Sequence, residues 1–313
     1  MELLQVMEPV LSGQIIEGDQ WIHQIKWDGI RGIISIENGM FRIFTKNGQE
    51  RTGFYPEIGD VLKLFRGNQT VMDGEMVVFD ENAKPSFRLV LTRDRLKKTG
   101  NLPIYLKKHP VHYIIFDILF LNGKDLRNLS LEERKLILSR SITQNSHIGI
   151  TQDFTNGPAL FNLMKERNYE GIVSKNKSSI YVPGKKHQFW FKTKIIKKIL
   201  AVIGGLSSKS GYPNSLLLGV YVDEKLVYIG NASLGLTQKD FAVLKDYSSS
   251  LQQRDSSFCN LNQAKNVTWL DPLLTCWVSF LEWTENSNLR HPKILGFSTE
   301  KAILANGKEY LVE

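Results

Sequence analysis

The stretch Lys26-Trp27-Asp28-Gly29-Ile30-Arg31 joins two segments that alternate as strands do, Trp21 to Lys26 and Gly32 to Glu37. It therefore places a lysine at the end of a strand. Lysine attacks only as the free amine and its ordinary pKa is about 10.4, so a nucleophilic lysine needs cationic neighbours or burial. Glycine lets the backbone approach a ligand, and arginine offers a planar fork to phosphate or ribose oxygens. Taken alone, the stretch fits a charged Asp-Gly turn and a phosphate-attacking amine equally well.

Composition limits the classes of protein. A chain of 313 residues is long enough for about two domains, and its hydrophobic and charged fractions are those of a soluble globular protein. The net charge of +8 and the pI near 9.3 favour a polyanionic partner, nucleic acid before membrane. Cys259 and Cys276 cannot build a disulfide framework or a four-cysteine zinc site, and we expect reduced thiols in a cytoplasmic protein. No secretory leader or membrane span is expected, because the apolar run Val111 to Leu121 is short and contains Asp117.

The first part of the chain reads as strands with flanking helices. Asn38-Gly39 between two alternating segments predicts a two-residue hairpin, and Ser130 with Glu133 predicts a capping box at the start of a helix. Strands are predicted at Trp21–Lys26, Gly32–Glu37, Met40–Thr45, Val71–Asp80, Val111–Leu121, Gly171–Lys175 and Phe189–Lys194, and helices from Ser130 to Ser141 and from Pro158 to Arg167.

A change of character after Lys194 predicts a domain boundary near residues 195 to 199, giving domains 1–196 and 197–313. The second domain is predicted to contain a Ser-, Gly- and Pro-rich loop, Ser207 to Asn214, and one helix capped by Thr237 and running to about Gln252. Short strands around one helix favour a small β-barrel, the OB-fold before others. Its strands are predicted at Leu216–Val222, Leu226–Ile229 and Trp277–Trp283.

Polar clusters recur at the strand ends of the first domain. Asp73-Gly74-Glu75 interrupts a strand, Glu170-Gly171 opens another, and Lys192 and Lys194 share one face of a third. Each alone has an ordinary structural explanation as a turn, a bulge or a solvated face. Together with Lys26 they suit nucleotidyl transfer, because attack on an α-phosphate builds negative charge that cations and a divalent metal must neutralise.

The same chemistry suggests further roles in this domain. Glu170, with Glu75 nearby, could hold the metal or grip a ribose. Phe116 could stack on a base. Neighbouring lysines and the metal would be expected to lower the pKa of Lys26 by like-charge repulsion.

The clusters, in this order, resemble the motifs of the covalent nucleotidyltransferases, which are the DNA ligases, RNA ligases and mRNA capping enzymes. The resemblance covers the chain from about Pro9 to Lys301. It rests on Lys26-Trp27-Asp28-Gly29-Ile30-Arg31 (motif I), Thr45-Lys46-Asn47-Gly48, Asp73-Gly74-Glu75 (motif III), Phe116-Asp117-Ile118-Leu119 (motif IIIa), Glu170-Gly171-Ile172-Val173-Ser174-Lys175 (motif IV) and Trp190-Phe191-Lys192-Thr193-Lys194 (motif V).

The second domain is similar to the OB domain of bacterial ATP-dependent end-joining ligases of the LigD type. The similarity rests on Leu216–Tyr221, Leu226–Gly230, Glu282–Asn286 and Leu289–Pro292, and the loop Tyr181–Lys186 fits the same group. The resemblance implies an α+β fold: a nucleotidyltransferase (ATP-grasp-like adenylation) domain with antiparallel sheets and flanking helices, followed by a small OB-fold barrel.

The resemblance also implies roles for single residues. Lys26 would carry a covalent AMP derived from ATP. Arg31 and Glu75 would contact the AMP ribose or the nick phosphate, and Phe116 would stack on adenine. Gln24 occupies the position where the family reads the adenine edge.

For the phosphates and the metal, Lys192 and Lys194 would contact the α-phosphate. Glu170, with Glu75, would serve magnesium or manganese.

Two positions depart from the family pattern. Lys46 stands where arginine is usual, which keeps the charge but loses the bidentate fork. In motif VI, Arg290 and Lys301 are present, but Ser298 replaces the second arginine and Glu300 the usual aspartate. In the family this motif orients pyrophosphate in the first step, so slow self-adenylylation is predicted.

The implied activity is that of an ATP-dependent DNA ligase, which seals 5′-phosphate and 3′-hydroxyl ends through a lysyl-AMP and an AMP-DNA intermediate, in repair by end joining. The expected partners are double-stranded DNA with nicks or ends, a Ku-like end-binding protein and a polymerase domain or subunit. A monomer in the cytoplasm, associated with the nucleoid, is expected. An RNA ligase, a capping guanylyltransferase and a non-catalytic OB-fold nucleic-acid-binding protein are the alternatives.

Overall fold

The computed structural model describes residues 5–284 and 286–312. The chain divides into two compact units, Met1–Lys194 and Ile195–Glu313. The strands and helices of the first unit are β1 Glu8–Leu11, β2 Trp21–Ile25, β3 Ile30–Glu37, β4 Met40–Thr45, α1 Val61–Leu64, β5 Thr70–Val77, α2 Phe87–Asp94, α3 Leu102–Lys108, β6 His112–Leu121, β7 Lys124–Asp125, α4 Leu131–Ser141, β8 Ile148–Ile150, α5 Gly157–Glu166, β9 Gly171–Asn176 and β10 Lys186–Lys194.

The first unit contains two sheets. A four-stranded sheet has the order β1-β10-β9-β2, and a six-stranded sheet has the order β4-β3-β5-β6-β7 with β8 beside β6. Except for the parallel pairs β1–β10 and β6–β8, the ladders are antiparallel. The predicted antiparallel α+β architecture is confirmed for this unit.

Two hydrophobic clusters hold these sheets. One packs Ile34, Met72 and Ile118 of the six-stranded sheet with residues from the surrounding helices, including Leu89 and Leu138. The other joins side chains of both sheets, Ile33, Val71 and Leu119 from the six-stranded sheet and Trp190 from the four-stranded sheet, with Tyr181. Side chains alternate across a strand, so the six-stranded sheet has one face on each cluster.

Local signals in the sequence were reliable here. Asn38 and Gly39 both have positive φ, 51° and 73°, as the hairpin turn between β3 and β4 requires. Ser130 and Glu133 form the predicted capping box of α4, and Asn156 caps α5. The strand predicted to reach Asp80 ends earlier, at Val77.

The second unit is built on one long hairpin. Its strands and helix are β11 Lys197–Lys209, β12 Tyr212–Val222, β13 Lys225–Ala232, α6 Gln238–Leu251, β14 Gln252–Gln253, β15 Val267–Leu270, β16 Thr275–Phe280, β17 Lys293–Ser298 and β18 Tyr310–Leu311.

The strand order matches an OB-fold. β13, β12, β11, β16 and β17 are hydrogen-bonded neighbours in that order, and a parallel bridge between Leu234 and Lys293 connects the two ends. A single isolated bridge, rather than a ladder, makes this last connection. Thr237 caps α6, as predicted, and it forms a capping box with Asp240.

Two predictions for the second unit were wrong. The Ser-, Gly- and Pro-rich segment 207–214 is not a loop: β11 continues to Lys209, turns at Ser210-Gly211 with φ of 51° and 80°, and returns as β12. The polar composition of this segment led to the wrong prediction. Only the two residues at the tip of the hairpin need to be turn residues, and the flanking polar residues belong to the strands. The strand predicted to reach Trp283 ends at Phe280.

Candidate active site

Lys26 lies directly after β2 and beside the start of β9. Its backbone N–H donates to the carbonyl oxygen of Gly171 at 3.0 Å. Gly171 has φ of +140°, and a Cβ there would lie 2.1 Å from the carbonyl oxygen of Thr193, so only glycine allows this approach. The Glu170-Gly171 pair therefore brings a carboxylate to the end of the strand that carries Lys26.

Glu170 joins two of the predicted lysines. Its Oε2 accepts a hydrogen bond from Lys26 Nζ, and its Oε1 lies 2.8 Å from Lys194 Nζ. Burial alone would raise the pKa of this carboxyl, but Lys26 and Lys194 together outweigh burial and the pKa is lowered. Glu170 is therefore ionised at neutral pH.

Lys192 is the third cation of the cluster. Burial lowers its pKa first, and the charges of Lys26 and Lys194 lower it further, so the three ammonium groups are close enough to repel one another. Among the described residues, no salt bridge involves Lys192, whereas Lys26 and Lys194 share Glu170. Lys192 can therefore accept an anion such as a phosphate without losing a partner.

Arg31 is held rigidly on β3. Its Nε and Nη2 each donate to Asp73 at 2.5 Å, and Nη2 also donates to the carbonyl oxygen of Met7 at 3.0 Å. The hydroxyl of Tyr181 donates to the same Asp73 carboxylate at 2.7 Å. Among the residues that the structure describes, none accepts a hydrogen bond from Nη1 of Arg31, which leaves that nitrogen for a ligand oxygen.

Glu75 lies opposite Arg31 in the β3–β5 ladder. Burial raises the pKa of its carboxyl to about 8, although Arg31 and Lys26 act in the other direction and Asp73 and Glu170 add to the rise. Motif I has glycine at the point where the Glu75 side chain approaches it. A Cβ at Gly29 would lie 2.7 Å from Glu75 Cγ, which is too close for a side chain at this position. Glu75 is therefore a carboxyl group that a bound cation would convert to its ionised form.

The predicted metal ligands are two carboxylates from different sheets. Within residues 5–284 and 286–312, no group of three or more His, Cys, Asp and Glu side chains is placed to hold a metal ion. Magnesium typically keeps several waters and binds through one or two carboxylates plus substrate phosphates. Glu75 and Glu170, which interact electrostatically, fit that mode of binding.

Phe116 contacts cations in this structure. The guanidinium carbon of Arg31 lies 4.7 Å from its ring centroid, and Lys175 Nζ lies 4.3 Å from it. Phe116 is thus beside the predicted site residue Arg31, and its stacking on adenine stays a prediction.

Sequence reasoning gave Lys175 no role, although it ends motif IV. It is 2% exposed, and its Nζ has no hydrogen-bond partner among residues 5–284 and 286–312. The Nζ lies 4.0 Å from the Trp190 ring centroid and also contacts Phe116. Burial lowers its pKa to about 7. Its position five residues after the strand-opening Glu170 was visible in the sequence, but the burial that makes it unusual was not.

Gln24 lies two residues before Lys26 on the same face of the four-stranded sheet. Its Nε2 donates to Asp153 Oδ1 at 2.7 Å, and Lys135 Nζ donates to the same oxygen at 2.6 Å. Asp153 is a second residue that sequence reasoning missed, since it lies in an irregular segment far from any motif.

Three of the predicted site residues, Lys46, Arg290 and Lys301, take part in none of the contacts described above. Lys46 lies after β4 and is half exposed, with its Nζ 3.7 Å from Glu8. Arg290 and Lys301 belong to the second unit, where Arg290 pairs with Glu282 at 2.6 Å and Lys301 is exposed.

The first unit brings together a lysine after β2 that is bound to a carboxylate, two further lysines on β10, and an arginine and a glutamate on the second sheet. This arrangement suits nucleotidyl transfer. The family described as ATP dependent DNA ligase domain matches residues 8–194, and the ATP dependent DNA ligase C terminal region matches residues 209–301. The chain belongs to the ATP-dependent DNA ligase family, and the predicted family and fold class are confirmed.

Individual proteins and structures similar to this chain also indicate a DNA ligase. The chain is 31% identical over 289 residues to the multifunctional non-homologous end joining protein LigD of Mycolicibacterium smegmatis, covering 90% of this chain and 36% of that protein. Its fold is similar to mycobacterial DNA ligase D complexed with ATP and MES, at 26% identity and TM-score 0.54 over 96% of each chain. The ligase domain of LigD from M. tuberculosis matches over 96% of each chain at 25% identity and the same TM-score, 0.54.

These matches do not favour an RNA ligase, a capping enzyme or a non-catalytic binding protein. The chain spans only 34 to 37% of the length of the curated LigD relatives. No helix within the described residues is long and apolar enough to cross a bilayer.

Proposed function

We propose that the chain seals breaks in double-stranded DNA with ATP, through a covalent AMP on Lys26. The proposal rests on Glu170, which binds Lys26 and Lys194 with its two carboxylate oxygens. The ammonium group of Lys192 lies beside them and forms no salt bridge with any residue that the structure describes. This arrangement orients an amine toward a place where phosphate oxygens would meet two cations.

In the first step, Lys26 Nζ attacks the α-phosphorus of ATP. An N–P bond forms, the bond to the bridging oxygen breaks and pyrophosphate leaves. Glu170 accepts a hydrogen bond from the attacking nitrogen and is placed to receive its proton. Lys192 and Lys194 neutralise the charge that develops on the α-phosphate oxygens.

The second step takes place at the same phosphorus, and the third at the phosphorus of the DNA 5′-phosphate. An oxygen of the DNA 5′-phosphate displaces Lys26, which gives AMP-DNA, and the 3′-hydroxyl then attacks the 5′-phosphate and releases AMP. Arg31 Nη1 and Glu75 would contact the ribose or the nick phosphate. A magnesium or manganese ion on Glu75 and Glu170 would supply further positive charge at the phosphates.

The biological setting is proposed from the relatives' names. LigD is a non-homologous end joining protein, so a break in duplex DNA is the proposed substrate, with a Ku-like protein and a polymerase domain or subunit as partners. A monomer in the bacterial cytoplasm, close to the nucleoid, is proposed. The net charge of +8 implies backbone contacts, so DNA binding should weaken steeply with salt and show little sequence preference.

The test is covalent labelling with α-labelled ATP and magnesium or manganese. Wild type and Lys63→Ala, an exposed lysine of the same unit, should both acquire protein-bound label, and Lys26→Ala should not. Label that survives Lys26→Ala would refute the assignment. Labelled wild type should then transfer AMP to nicked duplex, and comparison with blunt ends, with and without a Ku-like protein, tests the setting.

A further inference from the structure

Asp153 is fixed against the strand that carries Gln24 and Lys26. Phe154 exchanges two backbone hydrogen bonds with His23, of 2.8 and 2.9 Å, in an antiparallel bridge. The residues that flank such a bridge lie opposite each other, which places Asp153 across from Gln24. The contact between these two side chains is therefore set by the backbone.

Asp153 determines which way the Gln24 amide points. A carboxylate only accepts hydrogen bonds, so the NH₂ end of the amide must face Asp153, at 2.7 Å. Lys135 Nζ also donates to Asp153 Oδ1, at 2.6 Å. Gln24 Oε1 consequently points away from Asp153, and it accepts no hydrogen bond from the residues that the structure describes.

The position of Gln24 makes this orientation relevant to the nucleotide. Gln24 is 2% exposed and lies about 7 Å along the strand from Lys26, given a rise of roughly 3.3 Å per residue. Val173, opposite Gln24 in the β2–β9 ladder, and Lys26 share its face of the sheet. A base attached through ribose and phosphate to Lys26 would meet an acceptor at this point.

We propose that Asp153 is a specificity-determining positioning residue, which locks the Gln24 amide so that its carbonyl oxygen selects a base with an amino group over one with a carbonyl. The inference rests on the proposed function. Adenine would donate its exocyclic amino group to Oε1, whereas the carbonyl of guanine would face a second acceptor. A buried acceptor left unpaired is costly, so the orientation of one amide produces preference for ATP over GTP.

The test measures rates of covalent labelling with α-labelled ATP and GTP. Asp153→Ala removes the acceptor, and the remaining Lys135 ammonium, which can only donate, would attract Gln24 Oε1 and reverse the amide. The ratio of ATP to GTP labelling is expected to fall about tenfold or more. Lys135→Ala, which keeps Asp153, should change the ratio by less than about threefold.

The double variant Q24E/D153N provides a rescue. The new amide at position 153 can donate to the new carboxylate at position 24, whose other oxygen is an acceptor in either orientation, so preference for ATP is expected to return. An Asp153→Ala enzyme that labels with the wild-type ratio would overturn the inference. If Asp153→Ala does not fold, loss of ATP preference in the folded double variant overturns it instead. Wild type that labels with neither nucleotide would refute the proposed function, which is a different outcome.

Discussion

Asp73 receives both in-plane hydrogen bonds of the Arg31 fork, each 2.5 Å long, inside the first unit. Asp73 is fully buried and Arg31 nearly so. Removing one partner of such a pair leaves an uncompensated buried charge, which typically costs about 3–5 kcal/mol. We expect Asp73→Asn to lower the free energy of unfolding by about that amount, measured by urea denaturation.

Tyr181→Phe is the matched control for Asp73→Asn. It removes the hydrogen bond to the same carboxylate and the one that the Tyr181 hydroxyl accepts from the Met7 N–H, but it leaves the ion pair, so a smaller loss of about 1–2 kcal/mol is expected. Equal losses for the two variants would show that the Arg31 pairing contributes little to stability.

Lys175 gives a prediction about pH. Its pKa in the folded protein is about 7 against an ordinary 10.5, so the cost of burying it is largest below pH 7 and disappears as the pH rises toward 10.5. Lys175→Met should therefore stabilise the protein by about 2 to 4 kcal/mol at pH 7, after allowance for the lost ring contacts.

The measurement is the difference in unfolding free energy between Lys175→Met and wild type from pH 7 to 10. The difference should shrink steadily as the pH rises. A constant difference would mean that the Lys175 ammonium has the same pKa in the folded and unfolded chains.

Sequence reasoning predicted the motifs better than their surroundings. Local patterns, namely strand alternation and a strand-opening Glu-Gly pair, correctly placed Lys26, Glu170, Lys192 and Lys194 on or beside their strands. The pairing of β2, β9 and β10 then brings these residues together. Contacts across the sheets were not predictable. Two examples are the hydrogen bonds of Arg31 to Asp73 and of Gln24 to Asp153. Both depend on strand pairings between residues that are far apart in the sequence.

For the fold as well, local features were predicted and features that depend on distant residues were missed. Turns and caps with specific side-chain chemistry, such as Asn38-Gly39 and Ser130, were predicted correctly. The short strands β1 and β17 were missed, because their stability comes from pairing with β10 and β16 rather than from their own patterns.

Glu75 predicts the opposite pH dependence from Lys175. Its pKa is raised from 4.5 to about 8, so the neutral form is favoured in the folded protein and stability is lost as the pH rises from 4.5 to 8. Relative to Glu75→Gln, wild type should lose about 1 to 3 kcal/mol over that range. Thermal unfolding of both proteins across the range checks this, and parallel curves would contradict it.

A divalent cation should reduce the loss attributed to Glu75. The proposed metal would favour the ionised carboxylate, so manganese added with a non-hydrolysable ATP analogue at pH 8 should raise the melting temperature of wild type. The rise should be clearly smaller for Glu75→Gln and should be abolished by EDTA. An equal rise in both proteins would remove Glu75 from the metal site.

Ser298 provides the last prediction. It ends β17, where its carbonyl oxygen accepts from Thr275 and its Oγ from the Glu300 N–H, so a longer side chain would disturb only one side-chain hydrogen bond. The family resemblance places an arginine here to orient pyrophosphate. A charge-assisted hydrogen bond contributes about 1.5–3 kcal/mol, and 1.36 kcal/mol is tenfold in rate. Ser298→Arg is therefore expected to speed self-adenylylation about tenfold or more, with little effect on sealing by protein already adenylylated.

Ser249→Arg, on the exposed side of α6, adds the same charge and should leave the rate of labelling unchanged. Equal rates for Ser298→Arg and wild type would show that the altered motif VI does not limit the first step.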